Sequence, residues 1–131
     1  MKTIKFITLA VLILTITACS EKPTVEELKN LLNKVTSLNL WRNNIGNIGV
    51  KYIAHGLKEN KALTKLSLGD NNIGKAGAKY IAQILKENYS LSLLSLGNNN
   101  IGNTEVKHIA KALRKNQNLT TISFRNNKIG S

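Results

Sequence analysis

Side chains that could do chemistry are few in this sequence of 131 residues. The segment from Gly69 to Lys75 matches the phosphate-loop pattern GxxxxGK, but Ala76 stands where that loop needs a Ser or Thr to bind Mg²⁺. His55 and His108 have no cysteine near them and lack the spacing of a zinc site. A serine recurs at a regular spacing, as Ser67, Ser95 and Ser123, but none of the three lies in the GxSxG turn that exposes a nucleophile. We therefore expect no enzyme activity, no metal and no cofactor.

Cys19 is the only cysteine of the chain, so no disulfide can form within it. Lys2 and Lys5 precede the apolar run from Phe6 to Ala18, which ends directly before Cys19. A run of about 13 residues is too short to span a bilayer comfortably. A charged start, an apolar middle and a small residue at the end are typical of a secretory signal peptide.

The segment Ile16-Thr17-Ala18-Cys19 resembles the lipobox of bacterial lipoproteins. That resemblance implies that residues 1–18 are a removable signal peptide and that Cys19 carries fatty-acyl chains, with residues 19–22 as a tether. It also implies a location in the bacterial cell envelope, where Ser20 favours the outer membrane; secretion is the alternative. The other interpretation of Cys19 is an unpaired thiol in a signal anchor or in the core.

A unit of the form LxxLxLxxNxIG recurs every 28 residues, beginning at Val35, Leu63, Leu91 and Leu119. Alternating apolar residues predict a short strand in each unit, and a 3.6-residue period then predicts a helix. The apolar helix faces predicted for the core are Val50, Ile53, Ala54 and Leu57; Ala78, Ile81, Ala82 and Leu85; and Val106, Ile109, Ala110 and Leu113. Helix ends in the left-handed conformation are predicted at Asn60, Asn88 and Asn116.

These units resemble leucine-rich repeats of the ribonuclease-inhibitor-like subclass. The resemblance implies an α/β solenoid, a short horseshoe with parallel strands on its concave face and helices on its convex face. It covers residues 35–131, as three full repeats and a partial fourth, and residues 23–34 fit an N-terminal cap helix. It also implies a structural asparagine ladder at Asn43, Asn71, Asn99 and Asn127.

The repeat array stops at Ser131, where a fourth helix would begin. The last predicted strand, with Ile122 and Phe124, would then expose an edge and an apolar end. We expect either that another chain covers this edge, by self-association among other routes, or that the array was once longer.

The chain is strongly basic, with 19 Lys and Arg against 7 Asp and Glu and a formal net charge of +12. Such a charge favours acidic partners or anionic surfaces. The simpler interpretation is that these lysines only solvate exposed helix faces. Aromatic residues make up only 5% of the chain, which disfavours nucleic acid because its binding uses stacking platforms.

Side chains between the buried leucines of each strand point away from the core, and most of them are small and polar. Those predicted to bind a partner are Trp41, Arg42, Lys65, Asp70, Leu93 and Arg125. The alternative for Trp41 is that it covers the join to the cap helix. The sequence thus predicts a lipid-anchored, non-enzymatic module that binds another protein. The alternatives are an exported effector that binds host proteins and an electrostatic membrane-surface protein with no specific partner.

Overall fold

The computed structural model describes residues 25–130 of the chain. The predicted signal peptide, the predicted lipidation site Cys19 and the predicted tether lie outside the described residues. The statements made about them above stay predictions from the sequence.

Helices and strands alternate along the described residues. The helices are α1 (Val25–Leu32), α2 (Gly46–Leu57), α3 (Lys75–Glu87) and α4 (Asn103–Leu113). The strands are β1 (Ser37–Asn39), β2 (Lys65–Ser67), β3 (Leu93–Ser95) and β4 (Thr121–Ser123). None of these helices is long and apolar enough to cross a membrane.

The strands form one parallel sheet in the order β1-β2-β3-β4. Each strand pairs with its counterpart one repeat later, so Leu38 lies beside Leu66, Leu66 beside Leu94, and Leu94 beside Ile122. Because the repeats stack without an offset, equivalent residues form columns across the sheet. The helices cover one side of the sheet, which confirms the predicted α/β leucine-rich repeat solenoid. We call the uncovered side the sheet face and the outer surface of the helices the helix face.

The core lies between the sheet and the helices. In each of the first three repeats, two leucines of the strand segment point into it and are fully buried: Leu38, Leu40, Leu66, Leu68, Leu94 and Leu96. Burial of each such side chain stabilises the fold by about 1.5–3 kcal/mol. Since the polar residues between these leucines cannot enter the core, the alternation orients them toward the sheet face.

The predicted burial of the alanine column Ala54, Ala82 and Ala110 is wrong for Ala110. Ala54 and Ala82 are buried, but Ala110 is exposed and Ala112 is buried instead. The column of Ala110 faces the following helix, and α4 has no following helix among the described residues. The column of Ala112 faces the preceding helix, as Gly56 of α2 does where it lies against α1. The alanine column therefore lies between neighbouring helices.

The predicted left-handed helix ends are also wrong. Asn60, Asn88 and Asn116 are buried, and none has a positive φ; Asn88 is extended, with φ −107° and ψ 127°. The Asn88 amide donates to the carbonyl of Leu57 at 2.8 Å, and its Oδ1 accepts the N–H of Leu91 at 3.0 Å. A buried amide thus satisfies the backbone groups that a left-handed residue would otherwise satisfy. The three asparagines form a second ladder between repeats.

Candidate functional site

The asparagine ladder holds the loops that leave the strands. Asn71 is 1% exposed, and its Oδ1 accepts the N–H groups of Asn43 at 2.9 Å and Ile45 at 3.1 Å. Its Nδ2 donates to the carbonyls of Leu40 at 2.8 Å and Gly69 at 3.0 Å. These bonds join backbone groups of two repeats, so each loop is fixed relative to its neighbour.

The other ladder members differ in burial. Asn99 is also buried and repeats the geometry of Asn71 one repeat later. Asn127 is half-buried and accepts the N–H of Ile101 at 3.0 Å. Asn43, also half-buried, donates to the carbonyl of Trp41 at 3.0 Å. The side-chain amides bond to backbone groups and not to one another.

A column of residues with positive φ follows the strands, consisting of Arg42 (58°), Asp70 (53°), Asn98 (55°) and Asn126 (54°). Asn and Asp tolerate this left-handed conformation, whereas for a residue such as Arg it costs about 1–2 kcal/mol. Arg42 is therefore the strained member of the column. Such departures from local preference concentrate at functional sites.

The column just before it has two large residues at its ends and two glycines between them: Trp41, Gly69, Gly97 and Arg125. Gly69 and Gly97 are buried, and a Cβ added to Gly69 would lie 2.6 Å from Cδ1 of Trp41. The indole therefore packs directly on the Gly69 backbone. Gly97 lies beside Gly69 in the column. A Cβ added to Gly97 would lie 3.4 Å from the carbonyl oxygen of Arg125 and 3.8 Å from its Cβ. We call this depression, bounded by Trp41 and Arg125, the glycine trough.

Trp41 remains 48% exposed although it contacts Gly69. Its ring turns toward the second repeat, so the contact does not match the alternative in which it covers the cap helix. A Trp side chain presents about 150–250 Å² of surface, so the exposed part amounts to about 100 Å². Burying that area against a partner is worth about 2–3 kcal/mol.

Arg42 and Asp70 complete a cluster with Trp41. The guanidinium carbon of Arg42 lies 5.4 Å from the centre of the Trp41 ring, and its Nε lies 3.3 Å from Oδ2 of Asp70. The Arg42 and Asp70 side chains are 71% and 42% exposed. An ion pair this exposed contributes only about 0.2–1 kcal/mol to stability, so the two charges can be shared with a partner. We call these three residues the Trp41 cluster.

The other predicted binding residues lie farther away. Arg125 is exposed three strands from Trp41, a distance of about 14 Å across the sheet. Lys65 and Leu93 pair with each other in the register of β2 and β3, about 13 Å along the strands from the glycines. Lys65 is exposed, but Leu93 is half-buried and less prominent than the predicted apolar centre. The structure therefore brings together only part of the predicted set.

Several backbone N–H groups of the GxxxxGK segment are already hydrogen-bonded within the repeats and do not point at a ligand. The N–H groups of Asn71 and Ile73 donate to Oδ1 of Asn99 at 3.0 and 2.9 Å, and that of Gly74 donates to Oδ1 of Asn47 at 2.9 Å. A phosphate loop needs such N–H groups to point at its ligand. The glycines and asparagines of this segment serve the repeat.

The recurring serines and the two histidines lie on opposite sides of the molecule. Ser67 and Ser95 are half-buried on the sheet face, whereas His55 and His108 are exposed on α2 and α4. The hydroxyls of this serine column are therefore separated from both imidazoles by the sheet and the core. Within residues 25–130, no group of three or more His, Cys, Asp or Glu side chains could hold a metal ion.

The side of the core beyond β4 is partly open. Ile122 and Phe124 are half-buried, whereas their counterparts in the preceding repeats are fully buried. Ile129 is 39% exposed, and its counterpart Ile101 is buried. Self-association through this edge stays a prediction.

Sequence reasoning missed two features of the site. The first is the role of Gly69 and Gly97, although the order Trp, Gly, Gly, Arg in one column was a visible signal. The second is Asn47, whose Oδ1 accepts the N–H groups of Gly74 and Gly77, both at 2.9 Å, and so caps α3 from the neighbouring helix. Nothing in the local sequence around Asn47 points to this contact.

A family model described as Leucine Rich repeat matches residues 32–54, 59–82 and 115–131. Leucine-rich repeats are therefore present in the chain, as the period and motif predict. No curated protein is significantly similar to the chain in sequence.

The solved structures that resemble the described fold include the following two. One is titled leiomodin-1 actin-binding site 2, with a TM-score of 0.72 and 27% sequence identity over 79% of this chain and 60% of that one. The other is the C-terminal domain of tropomodulin from Caenorhabditis elegans, with a TM-score of 0.63 and 16% identity over 79% of this chain and 64% of that one. This chain thus spans less than two thirds of either structure, and the tropomodulin similarity shows the fold alone.

Proposed function

We propose that this chain is a non-enzymatic protein-interaction module that binds its partner on the sheet face, at the Trp41 cluster and the glycine trough. The observation that carries the proposal is Trp41 itself, which lies on Gly69, is 48% exposed and has the Arg42 guanidinium beside its ring. Trp and Arg are the residues most enriched in binding hot spots. The similar leiomodin-1 structure, titled as an actin-binding site, supports a protein partner for this type of fold.

The shape of the surface favours an extended segment of the partner. Because Gly69 and Gly97 carry no side chain, the surface between Trp41 and Arg125 is low. The indole covers Gly69, and the exposed part of its ring offers an apolar wall. Arg125 places positive charge at one end, and at the other the exposed Arg42 guanidinium, paired with Asp70, can exchange this partner for a carboxylate of the bound protein. An apolar residue packed on the indole, flanked by carboxylates, fits this arrangement.

The size of the sheet face limits its affinity. Four strands about 4.8 Å apart span about 15 Å, whereas a stable complex usually buries about 800 Å² on each partner. The sheet face therefore needs contributions from the loops or from several copies held together. Attachment through Cys19 would supply such copies by raising the effective concentration.

Anchorage in the bacterial envelope through Cys19 is the second part of the proposal, supported by the lipobox-like segment. Growth with a labelled fatty acid tests it: we expect label on the wild-type chain and none on Cys19→Ala. If the wild-type chain carries no label, the anchor is wrong. A secreted protein that meets host proteins would then fit the same module better.

A photo-crosslinking amino acid tests the binding surface in the full chain. We would place it at Ser95 on the sheet face and, as a control, at Gln83 on the helix face. We expect a crosslinked partner from Ser95 only. Trp41→Ala should weaken capture by about thirtyfold, as loss of a hot spot of about 2 kcal/mol does.

Tyr89→Ala is the matched control, because Tyr89 is a 54% exposed aromatic residue away from the trough. It should leave capture unchanged. Purified actin belongs in the same assay, and capture with the same dependence on Trp41 would identify it as a partner. Equal capture by wild type and a folded Trp41→Ala variant would refute the sheet-face assignment.

A further inference from the structure

The helix face carries a regular array of basic residues that the proposed function does not use. Three residues about one turn apart, in or directly after each of α2, α3 and α4, point away from the core, and all are exposed. They are Lys51, His55 and Lys58; Lys79, Gln83 and Lys86; and Lys107, Lys111 and Arg114. Seven of these nine residues are Lys or Arg, and none is acidic. We call this set the basic helix face.

The array is regular because the repeats stack side by side without an offset. Lys51, Lys79 and Lys107 are equivalent residues of three neighbouring repeats, and helices pack about 8–10 Å apart. The second row of cations begins seven residues later in each helix, about 10 Å along the axis. The charges are thus spaced by about one Debye length, so their fields add at physiological salt.

Acidic side chains compensate little of this charge. Within residues 25–130, Lys58 is the one member of the set that makes an ion pair, with Glu87 at 3.7 Å. Glu59 pairs with Lys29 of α1 at 3.9 Å, and Glu105 accepts the N–H of Gly102 at 3.1 Å. These acidic groups lie at the borders of the array, so its centre keeps its positive potential.

We propose that the basic helix face binds anionic phospholipid headgroups, with the three helices lying flat on the membrane surface. A regular array of spaced cations can contact many headgroups at once, and each Lys or Arg near an anionic surface strengthens binding about fivefold. Nucleic acid fits less well, because no exposed aromatic residue lies within the set to stack on bases. In this orientation the sheet face, with Trp41, points away from the membrane. The inference does not depend on the protein-binding proposal or on Cys19.

Vesicle binding by the full chain tests the proposal with two variants of equal net charge. The first is the triple variant Lys51→Gln, Lys79→Gln and Lys107→Gln. The control removes three exposed lysines outside the face and changes Lys34, Lys61 and Lys128 to Gln. Vesicles of about one third phosphatidylglycerol in phosphatidylcholine provide the anionic surface. Pure phosphatidylcholine vesicles measure any contribution of the apolar N-terminal segment.

For the anionic vesicles we expect the face variant to lose about a hundredfold in affinity and the control less than about fivefold. Binding should also weaken as ionic strength rises from about 0.05 M to about 0.5 M. Equal losses by both variants would show that only net charge matters and would overturn the proposal. Tighter binding to a DNA or RNA oligonucleotide than to the vesicles, lost in the face variant, would overturn it in favour of nucleic acid.

The orientation is tested separately from affinity. In a Cys19→Ala background, an environment-sensitive dye is attached at Gln83→Cys on the helix face or at Ser95→Cys on the sheet face. We expect anionic vesicles to change only the fluorescence of the dye at position 83. A response only at position 95 would overturn the proposal. Trp41→Ala should leave vesicle binding unchanged, because Trp41 lies on the sheet face. The vesicle assay and the partner-capture assay therefore test the two proposals separately.

Discussion

Replacement of Asn71 by alanine is expected to destabilise the fold far more than the same change at Asn43, although both occupy the same position of the repeat. Asn71 is 1% exposed and bonds to two N–H groups and two carbonyls at 2.8–3.1 Å. Asn43 is half-buried, and its side chain donates one bond, to the carbonyl of Trp41. The two variants therefore compare a buried ladder member with one at the ladder end.

The magnitude follows from the backbone groups that lose their partner. Each buried polar group left without a hydrogen bond costs about 1–3 kcal/mol. Asn71→Ala leaves four such backbone groups without a partner, which sets an upper limit on the loss of stability. Water that enters the vacated space bonds to some of these groups and reduces the loss, so we expect about 4 kcal/mol. At Asn43 one bond in a solvent-exposed loop is lost, and water replaces it, so the loss should be about 1 kcal/mol or less.

Urea denaturation followed by circular dichroism measures both values. A loss of 4 kcal/mol is a large part of the roughly 5–15 kcal/mol by which a domain is stable, and it corresponds to a fall in Tm of about 20 °C. Asn127→Ala should lie between the two, because Asn127 makes several bonds from a half-buried site. It keeps the comparison measurable if Asn71→Ala is unfolded without urea. An Asn43 variant as unstable as the Asn127 or Asn71 variant would refute the ladder argument.

Three further predictions concern the contact of Gly77 with Asn47, the packing between helices and the left-handed position of Arg42. Gly77→Ala should lower the free energy of unfolding, measured in urea, by about 2 kcal/mol, because the added Cβ would lie 2.5 Å from Oδ1 of Asn47. The loss should be smaller in a chain that already carries Asn47→Ala. Ala82→Leu should cost about 1–3 kcal/mol, whereas Ala110→Leu should stay within about 0.5 kcal/mol; thermal unfolding that shows equal losses would contradict the packing of α3 against α4. Arg42→Asn should change stability by less than about 0.5 kcal/mol, because relief of the left-handed strain offsets the lost exposed ion pair, while partner crosslinking weakens. Unchanged crosslinking by that variant would remove Arg42 from the binding surface.

Much of the fold was predictable because its information is periodic. The spacing of 28 residues gives the repeat boundaries, and the change from a two-residue to a 3.6-residue period separates strand from helix. Burial then follows for every leucine at a motif position of a repeat that has a repeat on both sides, whereas Leu93, between two motif positions, is half-buried. The prediction fails at Ala110 because a helix position equivalent to Ala82 is buried only when another helix follows it. Such end effects are not visible in a pattern that treats all repeats alike.

The prediction of left-handed helix ends failed for a chemical reason. Asparagine satisfies a helix end either by adopting a left-handed backbone or by bonding with its side chain, and both options suit the same residue type. At Asn88 the amide reaches the carbonyl of Leu57 in the preceding repeat, and the side-chain solution wins. The partner is 31 residues away, so only the stacked structure reveals it.

For the candidate site, the sequence determined which columns face outward, and it thereby placed Trp41, Arg42, Asp70 and Arg125 on one face. Whether these side chains touch depends on the stacking distance and on the size of the next residue in the column. Because Gly69 leaves room, the indole packs across the repeat boundary, stays half-exposed, and sits beside the Arg42 that pairs with Asp70. The periodicity along the chain decided the architecture. Contacts between residues one repeat apart decided the surface, because they form only when the repeats are packed together.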